Sequence, residues 1–546
     1  MPAGAARWRL DPAELGLLVV LAAISMWVIA SDLVMAAQHH LVWTRTDGFF
    51  IVDQMQYLAW IQSAAQHGLI SNLYVLRSSP ADYLQPAIVV SAGLFKLGVA
   101  PWLTLLLWKP VAVVSFFAAS RAAAHHFFVR RVDRLAALAL ALLFGSLSTI
   151  YGSLGIVGDM MPTWSSWGYP FGLIAVALIV FGLLSYDRAR AAGRIAWAPG
   201  LLGALASSLH PWQGELMILI VAGAELARAP QIWRGLRGAE PARPMWRWPA
   251  DRRLALPLFT LALTLAPLVY YLALGHLDVN WDMARQNSKH AFSFWAIAIG
   301  ATPLAVFAAL GYRGRPADFL ELSMRMWVPA ALVIYVLSAT ALSATPLHAF
   351  NGITIPLALL AVKGVRTSGL AEIRWGRLLA GAAVLLGTVP ANVYAMAYAH
   401  NYTSPQPKNA NYVRADELRA VRYLGGDRDP GGVLTQFYLG DMVPGFTGRQ
   451  VFVGDCLWTE PRCIPRSEAA DRFFQGHMSP AAARRFARET GARFILASCN
   501  PHVDLRRWLG AMIVATRHFG CAAVWELDSP AAPTGPFVSV RRHRRA

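Results

Sequence analysis

LGLLVVLAAISMWVIASDLVMAA, residues 15–37, decides the fold class. About 20 consecutive apolar residues are enough for a helix to cross a hydrocarbon core. The run carries a single acid, Asp32, and follows Arg7 and Arg9, so its first end belongs inside and its second outside. It is longer than the apolar core of a cleaved signal peptide and is followed by many more such runs, so it reads as a retained first helix. Further spans are expected at about 135–152, 169–186, 196–210, 214–228, 254–274, 292–311, 324–342, 351–364 and 376–399. The stretch from Leu84 to Ser120 is apolar but broken at Gly98-Val-Ala-Pro101, which fits one net crossing, with residues 83–100 either spanning or re-entrant. About eleven crossings result.

Composition agrees. Of 546 residues 56% are hydrophobic and 15% charged, against about a quarter charged in soluble domains. The formal charge of +18 could suggest nucleic acid. However, the cations cluster in short loops, at Arg121–Arg134, Arg188–Arg194, Arg228–Arg253, Arg313–Arg325 and Lys363–Arg377. Orientation in a bilayer accounts for such clusters, so no nucleic-acid partner is expected and these loops should face the cytoplasm. The chain therefore divides into a transmembrane part, 1–400, and a polar tail, 401–546. An odd number of crossings puts the tail outside. The tail mixes helical patterns at Ala415–Leu424 and Pro480–Thr490 with short apolar strands at Val433–Phe437, Gln450–Val453, Phe494–Ala497 and Ala523–Leu527, a small α/β domain.

All four cysteines, Cys456, Cys463, Cys499 and Cys521, lie in that tail. An even number in an exported region suggests two disulfides. Closeness along the chain favours Cys456 with Cys463 and Cys499 with Cys521, although four cysteines allow three pairings and could also stay free thiols.

The polar residues with chemical potential fall in the outer loops. Between residues 41 and 86, TDGFFIVDQMQYLAWIQSAAQHGLISNLY is too polar to span and too patterned to be irregular, so it should lie along the outer membrane face. Asp53 and Tyr57 stand one helical turn apart, which projects a carboxylate and a phenol from one face. Such a carboxylate can serve as general base or metal ligand, or be no more than the polar side of a surface helix. Asp47 is a second acid, either part of the site or a loop cap. Asp159, in GIVGDMMPTWSSWGYP, falls on the same side as Asp53 and could join it in an acid/base or cation site, or cap a turn. His210, at the hairpin tip SSLHPWQGE, could touch a phosphate or sugar, or serve the turn. Glu215, just beyond it, should face the bundle interior. The loop GHLDVNWDMARQNSKH offers Arg285 and Lys289 to a lipid phosphate, or is simply a solvated charged loop, and His348 in TPLHAFNG is a further candidate.

Together these positions resemble the GT-C superfamily of polytopic membrane glycosyltransferases, such as protein mannosyltransferases and the lipid A aminoarabinose transferase. The likeness lies in the first helix, the acidic outer loop with Asp53 and Tyr57, the second acidic loop at Asp159, and the tail stretch LGDMVPGFTGRQVFVGD followed by Phe473 and Phe474. Gln54 follows Asp53 where a paired acidic signature would have a second acid. The resemblance implies sugar transfer from a polyprenyl-phosphate donor to a glycan, lipid or protein acceptor, with Asp53 as base. It also implies that Asp159 assists at the acceptor or at a metal site, and that basic outer-loop residues hold the donor phosphate. A divalent metal ion is the candidate cofactor, and the setting is the inner (plasma) membrane with the N-terminus cytoplasmic. A transporter or flippase, or an inactive scaffold, are the competing readings. The first of these would favour internal repeats and charges in mid-span.

Overall fold

A computed structural model describes residues 11–145, 158–237, 249–287, 294–339, 346–373, 375–405, 409–427, 429–459, 462–500 and 503–528. It is predominantly helical. Among the described residues seven helices are long and apolar enough to cross a membrane: Pro12–Gln38, Pro101–Phe127, Pro170–Ala191, Leu254–Leu277, Phe294–Gly311, Phe319–Ser338 and Leu378–Tyr402. Shorter helices, including Ala198–Leu209 and Thr354–Thr367, pack among them. The helix Pro86–Lys96 has 11 residues and rises only about 16 Å. It ends at Leu97, and a turn through Gly98 leads into the helices Pro101–Leu106 and Trp108–Phe127.

The first helix begins where its sequence says it should. Asp11 accepts from Ala13 N at 2.9 Å, Glu14 reaches back to Asp11 N at 3.4 Å, and Pro12 occupies the first turn. The outward leucines of the bundle have no protein partner layer: Leu258 is 64% and Leu386 70% exposed. Side chains of that kind on long apolar helices need lipid around them. Ion pairs gather at one end of the bundle, where Glu14 meets Arg121 (2.7 Å) and His125 (2.6 Å), Asp318 meets His126 (2.8 Å) and Asp133 meets Arg366 (2.8 Å). Three of the basic clusters thus meet near the start of the first helix.

The tail forms a four-stranded sheet in the order β3-β4-β6-β5, where β3 is Val433–Leu434, β4 Phe494–Ala497, β5 Ile513–Phe519 and β6 Ala522–Leu527. The β3/β4 pair is parallel and the others antiparallel. Helices Ala415–Gly426 and Pro480–Thr490 match the sequence expectation closely, whereas β5 was not anticipated, because its exposure pattern does not alternate. Val451 contributes a single bridge to Val433 in place of the expected strand. A further pair, β1 (Val42–Trp43) with β2 (Tyr412–Val413), ties the segment after the first helix to the start of the tail.

Both disulfides are present with the pairing that closeness favoured: Cys456–Cys463 and Cys499–Cys521. The second spans 22 residues, for which chain entropy gives a contribution of about 3 kcal/mol. Changing both of its cysteines to serine should therefore lower tail stability by about that amount. Thermal unfolding of the purified chain with and without the two substitutions reads this directly, and an unchanged midpoint would contradict it.

The 41–86 segment departs from its expected position. The helix Ile51–His67 does not lie open on the membrane face: Met55, Leu58, Ala59 and Ile61 are fully buried, and so are the polar Gln54, Gln56 and Ser63. The cause is the tail, whose helix Phe437–Thr447 packs across it. A Cβ on Gly445 would come within 2.7 Å of Leu58 Cβ, so glycine at this position permits the close crossing. The amphipathic pattern registered two apolar environments, bundle and tail, as if one were lipid.

Candidate active site

Asp53 sits in the first turn of the Ile51–His67 helix, where the helix dipole favours negative charge. Tyr57 follows on the same face, its ring 5.7 Å from Trp60 and 5.2 Å from Phe171. Burial, and then the charge of Asp53, pushes the Tyr57 phenol well above its ordinary value, so it stays protonated and can donate.

Two acids that sequence reasoning gave no role come from the tail. Asp441 lies in the helix crossing Asp53's helix, and Asp455 in the turn before helix Cys456–Thr459. Each is 3% exposed. Asp455 Oδ1 accepts from Leu457 N at 2.8 Å. With the Gln56 amide oriented to match its neighbours, its nitrogen donates to Asp455 Oδ2 (3.2 Å) and its oxygen accepts from Trp458 Nε1 (3.0 Å). Burial, with the Asp53 charge adding to it, pushes Asp455 up to about 8. Burial, followed by the charge of Asp455, raises Asp441 as well. A Cβ on Gly440 would lie 1.8 Å from Val453 O, so this glycine lets the Asp441 helix press against the strand-like turn that carries Asp455. Tyr74 donates to the Asp441 carbonyl at 3.4 Å.

The segment that follows Asp159 packs against the start of Asp53's helix. Asp159 belongs to the short turn Gly158–Met160, and its side chain lies outside the described residues. Its neighbour Trp164 packs on Phe49 (4.4 Å) and Phe50 (5.9 Å), immediately before Asp53's helix, and Gln54 donates to Gly168 O at 3.3 Å. His210 and His348, distant in sequence, face each other with ring centroids 5.0 Å apart, and Trp212 lies 4.7 Å from His348. Tyr169 bridges this pair to Phe50, at 5.5 Å and 4.7 Å. Tyr169 and Phe50 thus connect the histidines to the start of the Asp53 helix.

Asp47 and Arg285 are held in ion pairs of their own. Asp47 is fully buried in an ion pair with Lys109, which also donates to Ser166 O (2.7 Å) and Ser25 O (3.1 Å). Its surroundings are those of a structural clasp. Arg285 pairs with Asp282 at 2.6 Å on helix Val279–Asn287. Lys289 lies outside the described residues. On that same helix Trp281 packs against Tyr83 (4.0 Å) and Trp458 (4.7 Å), and Trp60 meets Trp458 at 5.7 Å. This aromatic wall joins outer loop, bundle and tail beside the acids.

Among the described residues, one group of three or more ligating His, Cys, Asp or Glu atoms converges: Asp416, Cys499 and Cys521. Both of its sulfurs are bound in the disulfide. Asp53, Asp441 and Asp455 do not form such a group.

Comparison with solved structures shows the fold of the GT-C membrane glycosyltransferases. The Archaeoglobus fulgidus oligosaccharyltransferase in its apo form aligns with a TM-score of 0.52 at 10% identity, over 90% of this chain and 70% of that one. The same enzyme tethered by a disulfide to an acceptor peptide containing the NVT sequon gives 0.51 at 11%, with the same coverage. ArnT from Cupriavidus metallidurans bound to undecaprenyl phosphate aligns at 0.49 and 14%, over 96% of this chain and 99% of that one. No family model matches the chain, nor does any curated protein sequence. At these identities the likeness is one of fold.

Proposed function

We propose that the chain transfers a sugar from a polyprenyl-phosphate-linked donor to an acceptor outside the cytoplasm, with Asp53 as general base. What supports this reading is a GT-C-like fold in which the tail covers the helix bearing Asp53 and Tyr57, and aromatic contacts tie the segment after Asp159 and the His210/His348 pair to the start of that helix. The acceptor hydroxyl attacks the anomeric carbon, the bond from that carbon to the donor phosphate breaks, and Asp53 takes the hydroxyl proton. The phosphate departs on the carrier lipid. Single displacement by one base inverts the anomeric centre, and a retained configuration in the product would contradict it. His210 and His348 line the donor side, and Asp159 assists at the acceptor. The tail docked over Asp53's helix keeps bulk water from the donor.

The end bearing the Arg121–Arg134 and Arg313–Arg325 clusters is assigned to the cytoplasm of the inner (plasma) membrane, and the disulfide-bearing tail to the opposite side. The test is the envelope glycan and glycolipid profile, by mass spectrometry, of a deletion strain with and without the wild-type chain. Loss of one sugar, restored by the chain, supports transfer. An unaltered profile removes it and favours transport or scaffolding.

A further inference from the structure

We propose that Asn351 is a sugar-binding residue: its side-chain amide, seated beside His210 in a niche left by Gly172, receives a hydroxyl of the donor sugar. This rests on the reading of the chain as a transferase of lipid-linked sugar and adds to it the residue that tells the sugar from its carrier phosphate.

The other buried asparagines among the described residues are bonded through both side-chain atoms. Asn72 accepts from Tyr74 N and donates to Trp458 O, and Asn280 accepts from Arg77 and donates to Ser79. Asn392 accepts from Thr163 and donates to Leu143 O, and Asn411 accepts from Thr46 and donates to Asp32. Asn351 is 1% exposed, yet neither its Oδ1 nor its Nδ2 has a hydrogen-bond partner. A buried amide left open at both ends weakens the fold, and an apolar side chain of similar size would not.

Its position points to a ligand. Asn351 N donates to His348 O (3.2 Å) and Gly172 N to Tyr169 O (3.1 Å), so Asn351 and Gly172 lie one turn beneath the partly exposed Tyr169/His348 pair. A Cβ on Gly172 would come within 2.6 Å of Asn351 Nδ2 and 3.7 Å of His210 Nε2, so both nitrogens border the space this glycine leaves. Gln213 Nε2 donates to His348 O at 3.0 Å, which turns its Oε1 to accept from His210 Nδ1 and makes Nε2 the acceptor of the neutral ring. All of these residues belong to the bundle, where a lipid-linked sugar arrives, and access is through the Tyr169/His348 pair. The amide also decides the ligand class. It offers an acceptor and donors side by side, whereas the oxygens of an ionised phosphate only accept. Phosphate would satisfy Nδ2 but set negative charge against Oδ1. A hydroxyl accepts from Nδ2 and donates to Oδ1 or to His210 Nε2, which satisfies the niche.

Two measurements on the full chain test this. In the first, the purified chain is incubated with the lipid extract of deletion-strain membranes and with polyprenyl phosphate carrying no sugar, and the retained lipids are read by mass spectrometry. Wild type should retain the sugar-bearing lipid about tenfold over the bare one, roughly the effect of a hydrogen bond to a group otherwise left unpaired. Asn351→Leu should hold the bare lipid as wild type does and lose the preference, and Gly172→Ala, whose methyl displaces the amide, should lose it as well. An unchanged preference in either variant, or none in wild type, overturns the proposal. In the second, Asn351→Leu should unfold at a midpoint equal to or above that of wild type, because it removes polar atoms that folding leaves unpaired. A midpoint lowered by several degrees would make the amide structural and overturn the proposal too. If the deletion strain keeps every envelope sugar, the transferase reading fails, while the lipid preference still decides for or against the niche.

Discussion

Asp53→Asn should lower sugar transfer by about 10²–10⁴-fold, the range that general base catalysis contributes, while the unfolding midpoint stays within a degree or two of wild type. The substitution keeps shape and one acceptor oxygen but removes the group that takes the hydroxyl proton. Neighbouring Tyr57 cannot replace it, because burial and the adjacent charge keep its phenol protonated. The tail acids cannot replace it either, since both are held toward the protonated form. The measurement is sugar incorporation in the complemented deletion strain and in its isolated membranes, at matched protein level. Full transfer by Asp53→Asn would show that the base lies elsewhere, with the Asp159 loop next to be examined. Complete loss together with a collapsed midpoint would mark Asp53 as structural.

Lys109→Ala should destabilise the folded chain by about 3–5 kcal/mol, the cost of leaving one member of a buried ion pair without its partner. Lys109 satisfies three groups at once: the Asp47 carboxylate and the carbonyls of Ser25 and Ser166, which belong to three separate segments. Deleting the ammonium leaves the Asp47 carboxylate without its cation in a place where Asp47 is fully buried, and removes one donor from each carbonyl. Nearby, Asp32 accepts from Asn411 Nδ2 (2.8 Å), the Tyr412 hydroxyl (2.7 Å) and Gly48 N (3.0 Å), so the same region also anchors the start of the tail. Loosening it should therefore raise proteolytic cleavage near residue 411. The double variant Asp47→Asn/Lys109→Met should recover most of the loss, because it removes the uncompensated charge. Chemical unfolding in detergent reads both variants. A double variant no better than Lys109→Ala would mean that the two carbonyls, and not the charge pair, carry the effect.

Sequence alone determined those features of this protein that depend on local chemistry. Apolar runs of membrane length between residues 15 and 399 require helices in lipid, because an unpaired backbone group cannot remain in hydrocarbon. Four cysteines confined to the tail, near one another in pairs, were enough to indicate two short-range disulfides. Asp53 and Tyr57 could be paired by helical spacing without any knowledge of the fold. Tertiary structure decided what depends on contacts between distant segments. Asp47 stood as legible as Asp53, and only its meeting with Lys109 separates a clasp from a site. The Ile51–His67 helix looked like a surface helix until the tail was seen to cover it, since hydrophobic periodicity does not distinguish lipid from a protein layer. Asp441 and Asp455 were visible within LGDMVPGFTGRQVFVGD, yet nothing local could tell that this stretch returns across nearly 400 residues to lie on Asp53's helix. Such closeness is set by the packing of Gly440 and Gly445 against their neighbours, and it exists only once the tail has docked.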